Sequence, residues 1–308
     1  PGVRHELGTM IGRRWPSAGR VWIVSDEHVS ERWSASLMGN LRDSGMSPEL
    51  LAVAPGEGSK RMSEVERLCD AMTRGGVTRR DVVVALGGGV VGDLAGFVAS
   101  IVLRGLPLVQ LPTSLLAMVD SSVGGKTGVN LPAGKNLVGA FYQPGIVAID
   151  PDFLTTLPQA EFRSGMAEVI KHSLIQPSTP IRGNDLAQQL AQLALDPIPA
   201  AAMVDVLRLN VAIKRSVVQA DERESGLRMI LNFGHTAGHA IEADGYRLLR
   251  FWNSDVLGNP DGVRHAIACA LLERHPHPTS PIKGEEIPSG VAGTTSRLPS
   301  MRSQLSLG

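Results

Sequence analysis

Two histidines stand four residues apart in LNFGHTAGHAIEADGYRLL, His235 and His239, inside an alanine-rich apolar frame that predicts a helix. Residues at i and i+4 share one helix face, and two imidazoles so placed have the spacing of divalent-metal ligands. The zinc-protease pattern needs a glutamate directly after the first histidine, and Thr236 stands there instead. Any further ligand must come from another element. In SGMAEVIKHSLI, Glu168, Lys171 and His172 fall at i, i+3 and i+4, so one helix face carries a carboxylate and two nitrogen groups. Such a face is otherwise simply solvated. With Glu168 on one helix and His235 and His239 on another, the two can close on one ion; Zn²⁺ suits mixed carboxylate and imidazole ligands, and a catalytic site keeps a position open for substrate.

A second chemistry is legible upstream. ALGGGVVGDLAGF puts Gly87, Gly89 and Gly92 in G-x-G-x-x-G spacing between an apolar run and a helix-compatible one. Glycines there permit close backbone approach, and a helix N-terminus favours phosphate. The acid that usually follows about 20 residues later to hold a ribose is missing, because the next after Asp93 is Asp120. Asp26, ending VWIVSD, offers that contact if the strand order differs; a tight turn with no ligand is the plainer alternative. PTSLLAMVDSSVGGKTGVNLPAGKNLVGAFYQP then gathers Thr113, Asp120, Ser121, Ser122, Gly124, Gly125, Lys126, Lys135 and Asn136. It reads as a connection too polar and glycine-rich for a core element. Loops so dense in donors line anion or nucleotide sites, unless they are solvated surface.

The elements that must hold these groups are of two kinds. GRVWIVSDEHV, DVVVALGGG, LPLVQLP and GIVAID are short β-branched runs, with helix-compatible stretches such as MSEVERLCDAMTRGG between them. Buried strands alternating with helices imply a parallel α/β sheet. From about Pro151 the β-runs stop, and QAEFRSGMAEVIKHSLI, DLAQQLAQLAL, AAMVDVLRLNVAIKRSVVQADE and the histidine stretch all read as helices. The expected organisation is an α/β nucleotide domain over residues 1–150, a mostly helical domain over 151–250 and a tail over 251–308. That tail is rich in Pro, Ser, Thr and Gly apart from GVRHAIACALLERH, a composition expected to stay disordered or poorly packed.

Composition narrows the partners. The 308 residues carry 30 basic and 30 acidic side chains, which gives no electrostatic case for nucleic acid or an anionic membrane. Cys69 and Cys269 form no C-x-x-C pair, which fits a reducing compartment. No apolar run reaches the roughly 18–20 residues of a membrane helix, so a soluble, cytoplasmic protein is expected.

Together with PGEGSK and DERESGLRMILNFGHTAGHAIE, these stretches resemble 3-dehydroquinate synthase over about residues 8–249. The resemblance implies an NAD- and divalent-metal-dependent lyase, with Zn²⁺ or Co²⁺, of the shikimate pathway. Its substrate is the sugar phosphate 3-deoxy-D-arabino-heptulosonate 7-phosphate. The product, 3-dehydroquinate plus phosphate, arises through transient NAD oxidation, phosphate elimination, reduction and intramolecular aldol closure. The related dehydrogenases lack the VDSSVGGKTGVN block, and Arg228 and Asn232 look more like the dehydroquinate branch than the cyclases acting on sedoheptulose 7-phosphate. The resemblance also allows a homodimer.

Carried over position by position, the likeness assigns Asp26, Glu57, Lys60, Gly88, Gly89, Asp93, Thr113 and Thr156 to NAD. It assigns Asp120, Lys126, Lys135, Asn136, Lys171, Lys214, Arg228, Asn232 and His239 to the substrate, with Arg104 near its phosphate, and Glu168 and His235 to the metal. The family's third metal ligand is a histidine opening HGEAVAIGM soon after a tyrosine-containing stretch. Here GYRLL runs into RFWNSDV, so Arg250 or Phe251 occupies that place, and His265 in GVRHAIA comes some fourteen residues late without the glutamate. The helical domain is therefore expected to be incomplete and the metal under-coordinated. A working synthase with a substitute ligand, an inactive NAD-binding remnant and a related sugar-phosphate cyclase all remain open on these residues.

Overall fold

A computed structural model describes residues 1–233 except 184, 193–199 and 225. His235, His239, His265 and the 251–308 segment lie outside the described residues. The chain opens with α1 (Leu7–Arg14), β1 (Arg20–Asp26), α2 (Glu27–Asp43) and β2 (Ser47–Val53). It continues with α3 (Met62–Arg74), β3 (Val82–Gly87), α4 (Gly89–Ile101) and β4 (Leu108–Pro112). A hairpin of β5 (Lys126–Leu131) and β6 (Gly134–Phe141), a short β7 (Ile146–Val147), then α5 (Gln159–Ile175), α6 (Leu186–Gln192) and α7 (Ala200–Ala220) complete it.

The main sheet has the order β2-β1-β3-β4-β7, and every neighbouring pair is parallel. Residues of β3 and β4 are buried along their whole length, the burial that continuous apolar runs such as VVVALG acquire when helices cover both faces. Alternation along the strands splits the core. Val21, Ile23, Val82 and Val84 pack with α1, α2 and residues of α5 and α7 such as Val169 and Ile213. Trp22, Val24, Val83 and Ala85 face α3 and α4. The first face thus joins the sheet and the later helices in one apolar cluster. No helix among the described residues is long and apolar enough to cross a membrane.

One expectation gives way. The Thr113–Pro144 stretch contains regular structure: a π-helical turn, Ala117–Ser121, and the antiparallel β5–β6 hairpin. Glycine hides these strands from periodicity because the backbones approach closely. Gly128 stands opposite Gly139, and a Cβ on Gly128 would lie 2.6 Å from the Val138 carbonyl oxygen.

The sheet reverses direction of growth at β1 and β3, with β2 added on one side and β4 on the other. In parallel sheets the crevice outside the carboxyl ends at such a point is where ligands bind. Asp26 and Gly87 are the last residues of those two strands.

Candidate active site

The crevice holds a cavity of about 850 Å³ whose lining includes Asp26, Glu57, Lys60, Gly88, Gly89, Asp93, Thr113 and Thr156, together with Lys135 and Asn136. Each comes from a separate local device. Asp26 caps α2, its Oδ1 accepting from the Val29 N–H at 3.1 Å. Gly88 is the N-cap of α4 with no side chain to fill that role, so the helix's first N–H groups face the cavity mouth uncapped, a cradle suited to phosphate. A Cβ on Gly89 would meet Ser121 Oγ at 3.1 Å, so the backbone there packs tightly against the π turn. The NAD-binding chemistry expected from the glycine turn fits this cradle.

Lys60 is the hinge of the polar wall. Its Nζ lies 2.5 Å from Asp93 Oδ2 and 2.5 Å from Asn136 Oδ1, with only 6% of the lysine side chain exposed. Burial pushes the Asp93 carboxyl above its ordinary range, and the Lys60 ammonium offsets this only in part. Asn130, which the motifs did not single out, sets the hairpin against this wall. Its Nδ2 donates to Glu57 Oε1 at 2.7 Å and its Oδ1 accepts from the Asn136 N–H at 2.8 Å, holding Asn136 at φ 56°.

A second polar cluster forms where the π turn meets α5, α7 and the Leu227–Asn232 turn. Lys214 donates to the Asp120 carbonyl at 2.5 Å and to its carboxylate. Burial alone would raise the Asp120 carboxyl, but Lys214 holds it below the usual range; burial in turn pushes the Lys214 ammonium down. Lys171 donates to the Leu231 carbonyl at 2.7 Å. Arg228 is buried, donates to the carbonyls of Gly124, at 2.9 Å, and Glu222, and lies over the Phe141 ring.

Glu224 is a further residue that sequence reading missed. Its two carboxylate oxygens accept from Lys126 and from Asn232, the latter at 3.1 Å, from a left-handed backbone at φ 60°. The hydrogen bond from Lys126 holds this carboxyl below its ordinary range. The signal was available in DERESG, an acid-rich stretch before a glycine, but nothing local says which acid points inward. Arg104 stands apart: it is exposed just beyond the C-terminal end of α4, and thirteen helical residues, about 20 Å, separate that end from the glycine cradle.

Ligand atoms of Asp120, Glu168 and His172 lie within 4.8 Å of one another. Glu168 Oε1 is 2.5 Å from Lys171 Nζ and 3.2 Å from His172 Nε2, yet neither contact has hydrogen-bond geometry. A buried carboxylate oxygen and a buried imidazole nitrogen with no hydrogen-bond partner fit a divalent cation, and these donor types suit Zn²⁺ or Co²⁺.

A parallel nucleotide-type sheet with a glycine cradle thus lies beside a lysine- and arginine-rich, metal-compatible cluster. The 3-dehydroquinate synthase N-terminal family matches residues 50–164 and the C-terminal family residues 165–250. The chain belongs to the 3-dehydroquinate synthase family. It is 47% identical over 249 residues to the 3-dehydroquinate synthase of Symbiobacterium thermophilum, covering 80% of this chain and 68% of the relative. It is 42% identical over 298 residues to that of a Synechococcus species, covering 95% and 78% and so running past residue 250. Two solved structures share the fold. A 2-deoxy-scyllo-inosose synthase complexed with carbaglucose-6-phosphate, NAD⁺ and Co²⁺ has a TM-score of 0.68 at 28% identity, over 78% of this chain and 67% of that one. The 2-epi-5-epi-valiolone synthase of Streptomyces hygroscopicus, with NAD⁺ and Zn²⁺ bound, has 0.60 at 33%, over 76% and 64%. This chain thus spans about two thirds of the length of several of its relatives.

Proposed function

We infer that this chain carries the residues of a 3-dehydroquinate synthase, acting on 3-deoxy-D-arabino-heptulosonate 7-phosphate to give 3-dehydroquinate and phosphate. What supports this most is the meeting, in one crevice, of the glycine cradle with Lys60, Asp93, Lys135 and Asn136. Residues 1–150 would hold NAD through Asp26, Glu57, Lys60, Gly88, Gly89, Asp93, Thr113 and Thr156. Residues 151–250 would supply Glu168 and His235 to the metal. When bound, NAD supplies a reversible hydride acceptor for a secondary alcohol, and the divalent ion supplies a Lewis acid beside it.

The remaining work falls to the chain's own side chains. Lys126, Lys135, Lys171, Lys214 and Arg228 provide positive charge for a substrate that carries both a phosphate and a carboxylate, and Arg228 adds a planar fork. Asn136, Asn232 and His239 would add neutral or switchable donors, and Asp120 would orient Lys214. Burial of Lys214 and Arg228 makes their contacts stronger than they would be in water and would help fix the substrate for successive steps. Because Arg250 or Phe251 stands where the family places a histidine, turnover of the 308-residue chain should be slow. Phosphate release from the heptulosonate phosphate, assayed with NAD and with or without Co²⁺ or Zn²⁺, tests this. Metal-dependent release below about 1 s⁻¹ is expected; no binding of the heptulosonate phosphate by a folded sample would overturn the reading.

A further inference from the structure

We propose that His172 is itself a metal ligand in this chain, sharing a divalent cation with Glu168, with the Asp120 carboxylate in reach as a third donor. The proposal rests on the reading above that Glu168 takes a divalent ion. His172 is fully buried on α5, and its Nδ1 lies 3.0 Å from Asn210 Oδ1 on α7. Asn210 is fully buried as well, and its Nδ2 donates to the Val206 carbonyl one helical turn earlier at 2.8 Å. That bond fixes the amide, because a backbone carbonyl accepts only from nitrogen, so the amide oxygen must face the ring. An amide oxygen cannot donate, so the proton of a neutral ring sits on Nδ1, and Nε2 presents a lone pair.

Nε2 lies 3.2 Å from Glu168 Oε1 without pointing along the line to it, and neither atom has a hydrogen-bond partner. A buried carboxylate oxygen and a buried ring nitrogen that lie this close without bonding to each other can both be served by one cation set off the line between them. Ligands bonded at about 2.0–2.1 Å to a tetrahedral ion stand roughly 3.3 Å apart, so the spacing matches one edge of such a site. Asp120 has an oxygen within 4.8 Å of both other donors. The Val206–Asn210–His172 chain of hydrogen bonds is the orienting partner that metal-bound histidines ordinarily have on their other ring nitrogen. Lys171 and Lys214 touch the same carboxylates and would turn toward the substrate's anionic groups. The position at residue 250 or 251 that the family gives to a histidine is thereby offset from within α5.

Co²⁺ titration of the whole chain, read by visible d–d absorption, tests the proposal on the native protein and on His172→Ala, Asn210→Ala and His235→Ala, with circular dichroism and NAD binding reporting folding. His172→Ala should weaken Co²⁺ at least a hundredfold and shift the absorption bands. Asn210→Ala, which leaves the imidazole but frees its tautomer, should weaken it by the order of 10–100-fold. The His235→Ala chain, which keeps His172 and Asn210 in place, should still bind Co²⁺ and show a hyperfine-shifted imidazole N–H proton in its NMR spectrum. Native affinity in folded His172→Ala, or loss of that shifted proton in His235→Ala, overturns the proposal and leaves the functional reading intact. Absence of Co²⁺ binding by the native chain at millimolar metal, with NAD binding retained, overturns the metal part of both.

Discussion

Lys214 reaches Asp120 across 94 positions of chain and donates to it twice, to the backbone carbonyl and to the carboxylate. The pair ties α7 to the π turn at the end of the crevice, and it makes the turn's unusual geometry depend on a helix far away in sequence. Removing the ammonium leaves a carboxylate that burial already disfavours. Lys214→Met should therefore destabilise the fold by about 3 kcal/mol, because breaking a buried pair from one side strands the other charge. Urea unfolding measures this, and Lys214→Met combined with Asp120→Leu should recover part of the loss. If the single variant is as stable as the native chain, the pair is not holding the turn.

Lys60 should matter to the dinucleotide more than its single charge suggests. It is the common partner of Asp93 and Asn136 in the cavity wall. Lys60→Met should lower NAD affinity at least tenfold in calorimetric titration, and the native chain should bind NAD whether or not it turns over. Unchanged affinity in a folded Lys60→Met sample would remove Lys60 from the nucleotide site.

Glu224 holds Lys126 and Asn232 at fixed positions rather than touching substrate in this arrangement. Its replacement by glutamine should raise KM for the heptulosonate phosphate severalfold and leave NAD affinity unchanged. Because the carboxyl is held below its ordinary range, the native latch should persist as pH falls through the usual glutamate range. A Glu224→Gln chain whose KM matches the native value at every pH would contradict this role.

Asp150 gives a stability test away from the site. Its side chain accepts from the N–H groups of Gly2, Arg4 and Asp152 and from the Arg4 guanidinium, pinning the N-terminal segment to the start of the Pro151–Thr156 turn that follows β7. Burial would raise its carboxyl, but these donors hold it below the ordinary range. A depressed carboxyl stabilises the fold above its unfolded value, about 3.9, and loses that contribution as pH falls through the lower folded value. Asp150→Ala should cost on the order of 3 kcal/mol at neutral pH. The gap between variant and native stability should shrink only below about pH 4, which thermal melts across pH 2.5–7 would reveal; a gap constant over that range would exclude the linkage.

The sequence by itself determined what short stretches encode. The apolar runs of β1, β3 and β4 announce buried parallel strands, and the Gly87–Asp93 turn announces a tight glycine turn opening a helix. The charge and apolar pattern of Gln159–Ile175 announces a helix with Glu168, Lys171 and His172 on one face. These follow from periods of two and 3.6 residues and from glycine's backbone freedom, all of which act within a few positions. The β5–β6 strands escaped because their glycines serve contact between backbones and leave no apolar alternation. What only the tertiary structure decided is which groups meet. Asp26 reaches the cradle because the crossovers place β1 beside β3. Glu224 faces Lys126, and the orientation of the His172 ring depends on Asn210, 38 positions away. A residue type carries its own chemistry, but its partner is chosen by helices and strands that pack only when the whole apolar core forms, and no local pattern encodes that choice.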